Sequence, residues 1–149
     1  GRVRFLDESH SVIFTDKGIQ FFSTRVETSP ELVSQIPIEE NIRSITYAQD
    51  KVGIVTDNVE GGDPYKLRIY DREGSPVFEK TFNYQYTGFD IDGDLVLLYN
   101  DSSCKVYNMT GTEKYNGTFD FTVSKVSAGR FPGTLLVMGP QKMTEIKLQ

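Results

Sequence analysis

Apolar and polar residues alternate along most of this chain with a period of two, the spacing of a strand with one face inward. Four apolar runs stand out, beginning at Val12 (VIFTD), Val52 (VGIVTD), Leu95 (LVLLYND) and Thr134 (TLLVMG). Each is followed by a second run: IQFFS from Ile19, KLRIYD from Lys66, CKVYN from Cys104 and MTEIKL from Met143. Tyr, Phe, Val, Ile and Thr dominate these runs, which are bounded by Asp16-Lys17-Gly18, Glu73-Gly74-Ser75-Pro76, Asp92-Gly93 and Gly139-Pro140. No twelve-residue window carries a clear 3.6-residue stripe. Ser29 to Glu40 is the best helix candidate, with Pro30 near a first-turn position. Pro37 and the β-branched Val33, Ile36 and Ile38 argue instead for a strand plus a crossing loop.

The runs repeat. Tyr70 to Phe82 (YDREGSPVFEKTF) aligns without a gap on Tyr107 to Phe119 (YNMTGTEKYNGTF), at an offset of 37 residues. Tyr70 meets Tyr107, Gly74 meets Gly111, Phe78 meets Tyr115 and Phe82 meets Phe119. The four strong runs are spaced by 40, 43 and 39 residues, the period of a four-stranded propeller blade. The expected fold is therefore all-β, a propeller-like arc of about four blades in one domain, 1–149. The blades run from Val3 to Ile38, Ile42 to Asn83, Tyr86 to Phe119 and Phe121 to Gln149. Three have four strands and the last has three, giving fifteen strands.

The third-strand segments KLRIYD (66–71) and CKVYN (104–108) resemble those of WD40-type repeats: a strand ends in an aromatic and Asp or Asn, then a Gly-containing turn and another apolar strand follow. There is no Trp and no Gly-His dipeptide, so the likeness is to WD40-like or quinoprotein-like blades. The stretch from YDREGSPVFEKTF to YNMTGTEKYNGTF also resembles the C-terminal part of an uncharacterised family of Gram-positive gut bacteria. That family carries a short N-terminal region, one membrane anchor and an exported propeller-like domain. The resemblance implies an extracytoplasmic, membrane-anchored protein, of which this chain is part of a larger propeller. It implies no activity that transfers residue by residue. In such propellers the connections between second and third strands emerge on the commonly used binding face.

Composition narrows the function. The 149 residues carry a formal charge of −5 without a Lys/Arg cluster, which argues against a nucleic-acid partner. No run approaches eighteen apolar residues, so this segment makes no membrane span. Cys104 is the single cysteine and His10 the single histidine, too few for a disulfide framework or a multi-cysteine zinc site. No cofactor and no metal are expected.

A residue type that recurs at the blade period serves the scaffold, whereas one that does not recur is a candidate for function. Asp90-Ile-Asp92-Gly-Asp94 begins like a calcium loop, but Leu95 and Asp101 occupy the positions that need Gly and Glu. Asp-Gly between alternating runs reads better as a hairpin. Phe82, Tyr84 and Tyr86 could stack a ligand, yet Phe119, Phe121 and Val123 repeat them, which favours packing between blades. His10 reads as a solvated turn residue and Cys104 as a buried strand residue. The sequons at Asn100, Asn108 and Asn116 read as turn chemistry. The clearest non-recurring feature is Asn58 to Tyr65 (NVEGGDPY), a lengthened connection in the second blade. Its Asn58, Glu60, Asp63 and Tyr65 are the candidate partner-binding residues. Gly129 to Gly133 is a second irregular connection.

Three functional readings follow. The first is a non-catalytic interaction module for a protein or cell-surface polymer. The second is a glycan-active or other hydrolase using Glu39, Glu40, Glu60 and Asp63. The third is a purely structural part of a larger propeller. The blade pattern also leaves one apolar face uncovered on each end blade, and an open edge at Met143 to Leu148. A homodimer through the end blades is expected.

Overall fold

The computed structural model describes residues 2–24 and 29–149. These residues form fifteen strands and no helix. The first sheet contains β1 (Val3–Phe5), β2 (His10–Thr15), β3 (Gly18–Ser23) and β4 (Glu31–Pro37). The second contains β5 (Ile42–Tyr47), β6 (Lys51–Asp57), β7 (Tyr65–Asp71) and β8 (Pro76–Phe82). The third contains β9 (Gly88–Asp92), β10 (Leu95–Tyr99), β11 (Ser103–Asn108) and β12 (Glu113–Thr118). The fourth has three strands: β13 (Lys125–Ala128), β14 (Thr134–Met138) and β15 (Met143–Lys147). Every sheet is an antiparallel meander in chain order, so the architecture is that of four propeller-like blades. Glu31–Pro37 is a strand, as its β-branched content indicates.

The chain divides into two compact units, Gly1–Asn83 and Tyr84–Gln149. In the first, Val12, Ile19 and Phe21 of the first sheet pack against Val52, Ile54 and Tyr70 of the second. In the second, Leu97, Cys104 and Val106 of the third sheet pack against Val126, Leu135 and Val137 of the fourth. Period-two alternation sends successive side chains to opposite faces. Val55, Leu67 and Ile69, on the other face of the second sheet, are buried as well. Near-continuous apolar runs such as VGIVTD and LVLLYND belong to strands covered on both sides.

The internal repeat has a structural cause in the hairpin between the third and fourth strands. Asp71 Oδ1 accepts from the backbone N–H of Glu73 and Ser75, both at 2.9 Å. Asn108 Oδ1 accepts from Thr110 and Thr112 at 3.0 and 2.9 Å. The Asx side chain thus satisfies two turn donors. Three residues on, Gly74 and Gly111 hold φ of 86° and 80°, a region that L side chains avoid. The register shifts at the same place in both ladders, between Ile69 and Tyr70 and between Val106 and Tyr107. Gly74 does further work, because a Cβ there would lie 1.9 Å from Ser34 Oγ and 2.7 Å from Phe21. The Ser34 hydroxyl donates to the Glu73 carbonyl at 3.0 Å, and Arg72 reaches Asp7 at 2.8 Å. The turn is therefore also the clasp between the first two sheets.

Two stability measurements test this account. Gly74→Ala carries about 1–2 kcal/mol of left-handed backbone strain plus about 1–3 kcal/mol of overpacking. Gly93→Ala, at φ 60° with open space around it, carries the first cost alone. Urea unfolding should rank Gly74→Ala as clearly the worse; equal losses would show that the clasp is not tight. In the same assay Phe82→Ala, at a residue 3% exposed, should cost about 3–5 kcal/mol. Phe119 is only half-buried, between Tyr115 and Phe121, and Phe119→Ala should cost about half as much.

Candidate functional site

The connection from Asp57 to Tyr65 is longer than its counterparts from Thr15 to Gly18 and from Tyr99 to Ser103. Its candidate residues have divided roles. Asn58 is the brace: its Nδ2 donates to the carbonyls of Asp63 and Gly61 at 2.8 and 3.2 Å. Its Oδ1 accepts from the Glu60 N–H at 3.3 Å, and its own N–H donates to the Pro64 carbonyl at 2.9 Å. Gly61 and Gly62, at φ 87° and 82°, make the reversal that lets one side chain reach so many backbone groups. Asp63 accepts from the Thr81 hydroxyl at 3.0 Å, which ties the loop to β8. Tyr65 opens β7, with its ring 5.4 Å from that of Phe82 and the Arg43 guanidinium 5.6 Å from its centroid. Glu60 stays exposed beside Val59, which is 75% exposed. The loop therefore commits Asn58, Asp63 and Tyr65 to holding its shape and offers Val59 and Glu60 at its tip.

A band of charge lies below the loop. Lys66 and Arg68 point from β7 to the face that packs on the first sheet, two residues apart and therefore on one side. Lys66 Nζ is 3.0 Å from Glu79 and 3.7 Å from Glu60. Arg68 is 8% exposed and paired with Glu40, and its Nε has no partner among the described residues. Arg43 pairs with Asp57 at the loop's entry. Burial alone would raise the Glu40 pKa, but the Arg68 hydrogen bond and charge outweigh it and hold the carboxyl below its ordinary value. A glycosidase acid needs the opposite shift; here Glu40 is engaged in its pair with Arg68. The alternation of cations with Leu67 and Ile69 in KLRIYD was the one sequence signal for this band. The Glu40 partner lies 28 residues away and left none.

Residues 1–148 match the model of a family of unknown function, DUF5711. The chain belongs to that family. Among solved structures it is similar to the one described as the crystal structure of the computationally designed Ika4 protein. The TM-score is 0.56 at 10% identity, over 96% of this chain and 88% of that one, a likeness of fold alone. No curated protein matches the chain.

The remaining candidates of this DUF5711 chain fall into structural places. His10 is not a solvated turn residue: it opens β2 and is half-buried. Its Nδ1 lies 2.9 Å from Asp7 Oδ1 and 3.0 Å from Ser9 Oγ. Burial would push Asp7 up, but His10, the Ser9 N–H and Arg72 together hold it well below the carboxylate range. This cluster joins the β1–β2 connection to the clasp at Arg72. Asp92 Oδ2 accepts from the Ala128 N–H at 2.8 Å and Asp90 faces Lys125 at 3.4 Å. Among the described residues no group of three or more His, Cys, Asp or Glu could hold a metal. Tyr84 meets the Ser103 hydroxyl at 2.7 Å and Tyr86 packs on Phe89. Asn100 Oδ1, like Asn108, accepts turn hydrogen bonds. Cys104 is buried, and its apolar surroundings push the thiol up to about 12. The second irregular connection, Gly129 to Gly133, borders a cleft of about 450 Å³ with Asp94, Lys114 and Arg130 on its walls.

The two depressed carboxyls set an acid response. Each contributes stability that is fully present above its unfolded pKa near 4. That contribution is lost as the pH falls toward the lower folded value. Wild-type stability should therefore drop steeply below about pH 4, and Asp7→Asn should flatten that drop; an unchanged pH profile in Asp7→Asn would refute the assignment. Glu40→Ala strands a buried guanidinium and should cost about 3–5 kcal/mol at neutral pH by denaturant unfolding.

Proposed function

We propose that this chain is a non-catalytic interaction module that meets its partner, a protein or cell-surface polymer, through the 58–65 connection. The observation that carries this reading is the braced loop tip. Val59 stands 75% exposed beside the exposed Glu60, on a loop whose base is tied by Asn58 and Asp63. An exposed apolar side chain on an ordered loop presents contact area without a large ordering cost on binding. The flanking Lys66, Glu79 and Arg43 supply a charged rim around that small apolar centre, the arrangement found at interfaces.

Binding isotherms against a panel of purified cell-surface polymers and immobilised surface proteins test the proposal. Saturable binding should weaken at least tenfold in the double variant Val59→Ala/Glu60→Ala, a loss of about 1.4 kcal/mol, with an unchanged melting temperature. Binding that ignores this variant, or release of new reducing ends from a bound polymer, would overturn it.

A further inference from the structure

Within each unit, the side by which the earlier sheet meets the later one is its forward face, the side by which the later meets the earlier is its rear face, and the opposite side of each sheet takes the other name. The first sheet's forward face meets the second sheet's rear face, and the third's meets the fourth's. Strand register allows rear faces to be compared row by row. On the second sheet, Tyr47, Val52 and Tyr70 stand opposite one another. On the first sheet the corresponding row reads Phe5, Ser11, Phe22 and Leu32. The adjacent row is Ile45, Ile54 and Arg68 on the second sheet, and Val3, Ile13 and Gln20 on the first. On the fourth sheet it is Val126, Val137 and Thr144. Val52, Ile54, Val126 and Val137 are fully buried. On the first sheet, by contrast, Phe5 is 70%, Leu32 52% and Val3 51% exposed. With Ile13, Phe22 and Pro30, Phe5 and Val3 border an open groove of about 350 Å³. This is a blade-packing face without its blade, and an apolar patch of that kind marks an interaction surface.

Its complement is an uncovered forward face, and the chain has one. Leu136, Met138 and Met143 form an apolar strip on the forward side of the fourth sheet, opposite Leu135 and Val137, bordered by Lys125, Ser127 and Glu145 on the same face, with Met143 64% exposed. We propose that the rear face of the first sheet takes the forward face of the fourth sheet of a second copy, head to tail. The contact extends a packing mode that the chain already uses twice, and it joins two different surfaces, so the interface is heterologous. Its occupant is thus another copy of this chain and not an unrelated ligand.

Heterologous contacts have a test that symmetric ones fail. Phe5→Glu disables the rear face and Met143→Glu the forward face, both at exposed positions where far-UV circular dichroism should stay unchanged. In light scattering coupled to size exclusion, the wild type should show concentration-dependent association and each variant alone should run as a monomer. An equimolar mixture should recover a complex of twice the monomer mass, because each variant keeps the face that the other lacks. A monomeric wild type at high concentration, or a mixture that stays monomeric, would overturn the proposal.

Discussion

Everything in this chain depends on sheets that are apolar on both faces. A central strand such as β6 or β10 buries residues on both of its faces, so it reads as an almost unbroken apolar run. A sheet of this kind is unstable alone, since one face always remains to be covered. The packing of Val12, Ile19 and Phe21 on Val52, Ile54 and Tyr70 is therefore the unit of stability, and a single meander is not. Loops, clasps and charge pairs are built on that unit. The Asp71–Ser75 turn shows how closely, because it closes one hairpin and also seats Gly74 against Phe21 of the neighbouring sheet.

The same repetition makes departures from it informative. One rear-face position carries a cation in the second and third sheets and a neutral residue in the first and fourth. Arg68 and Lys105 stand where the first sheet has Gln20 and the fourth has Thr144. A buried guanidinium is costly even when paired, and Val or Leu would satisfy the packing requirement at that site. The long Asp57 to Tyr65 connection belongs to the same sheet, and Lys66 joins the two features by reaching Glu60 and Glu79. Lys66 has Ser103 at its place in the third sheet, so the lengthened connection and this non-recurring charge lie together on the second sheet.

How much of this the sequence shows depends on the range of the interaction. Strand alternation and the Tyr-Asx-x-x-Gly turn are local, and all fifteen strands follow from them, the three-stranded fourth sheet included. Phe82 as packing and Cys104 as a buried thiol were legible for the same reason. Asn58 and Asp63 were found as loop residues, but their role as braces required knowing which carbonyls the loop would fold back to offer. His10 reads from sequence as a turn residue because its strand begins two residues before the apolar run at Val12. Its partners Asp7 and Ser9 turn that run into a compact cluster. The Arg68–Glu40 pair was invisible: a cation within KLRIYD looks solvated until a sheet closes over it.

The braced loop and the charged band place one further constraint on the proposed interaction. Asn58 and Asp63 spend their hydrogen-bonding capacity inside the protein, so under the proposed function recognition would fall to Val59 and Glu60. Glu60 lies 3.7 Å from Lys66, which Glu79 holds at 3.0 Å. A cationic group arriving at the tip would compete with Lys66 for Glu60, while Glu79 would keep Lys66 in place. Because Glu60 is itself exposed and Lys66 keeps Glu79, breaking the long Lys66–Glu60 contact costs little. The second carboxylate leaves Glu60 available to an incoming positive group without stranding a charge in the fold. Under the proposed function, a partner that brings a cation beside an apolar contact would suit this tip, and salt should weaken that encounter more than it weakens the domain itself.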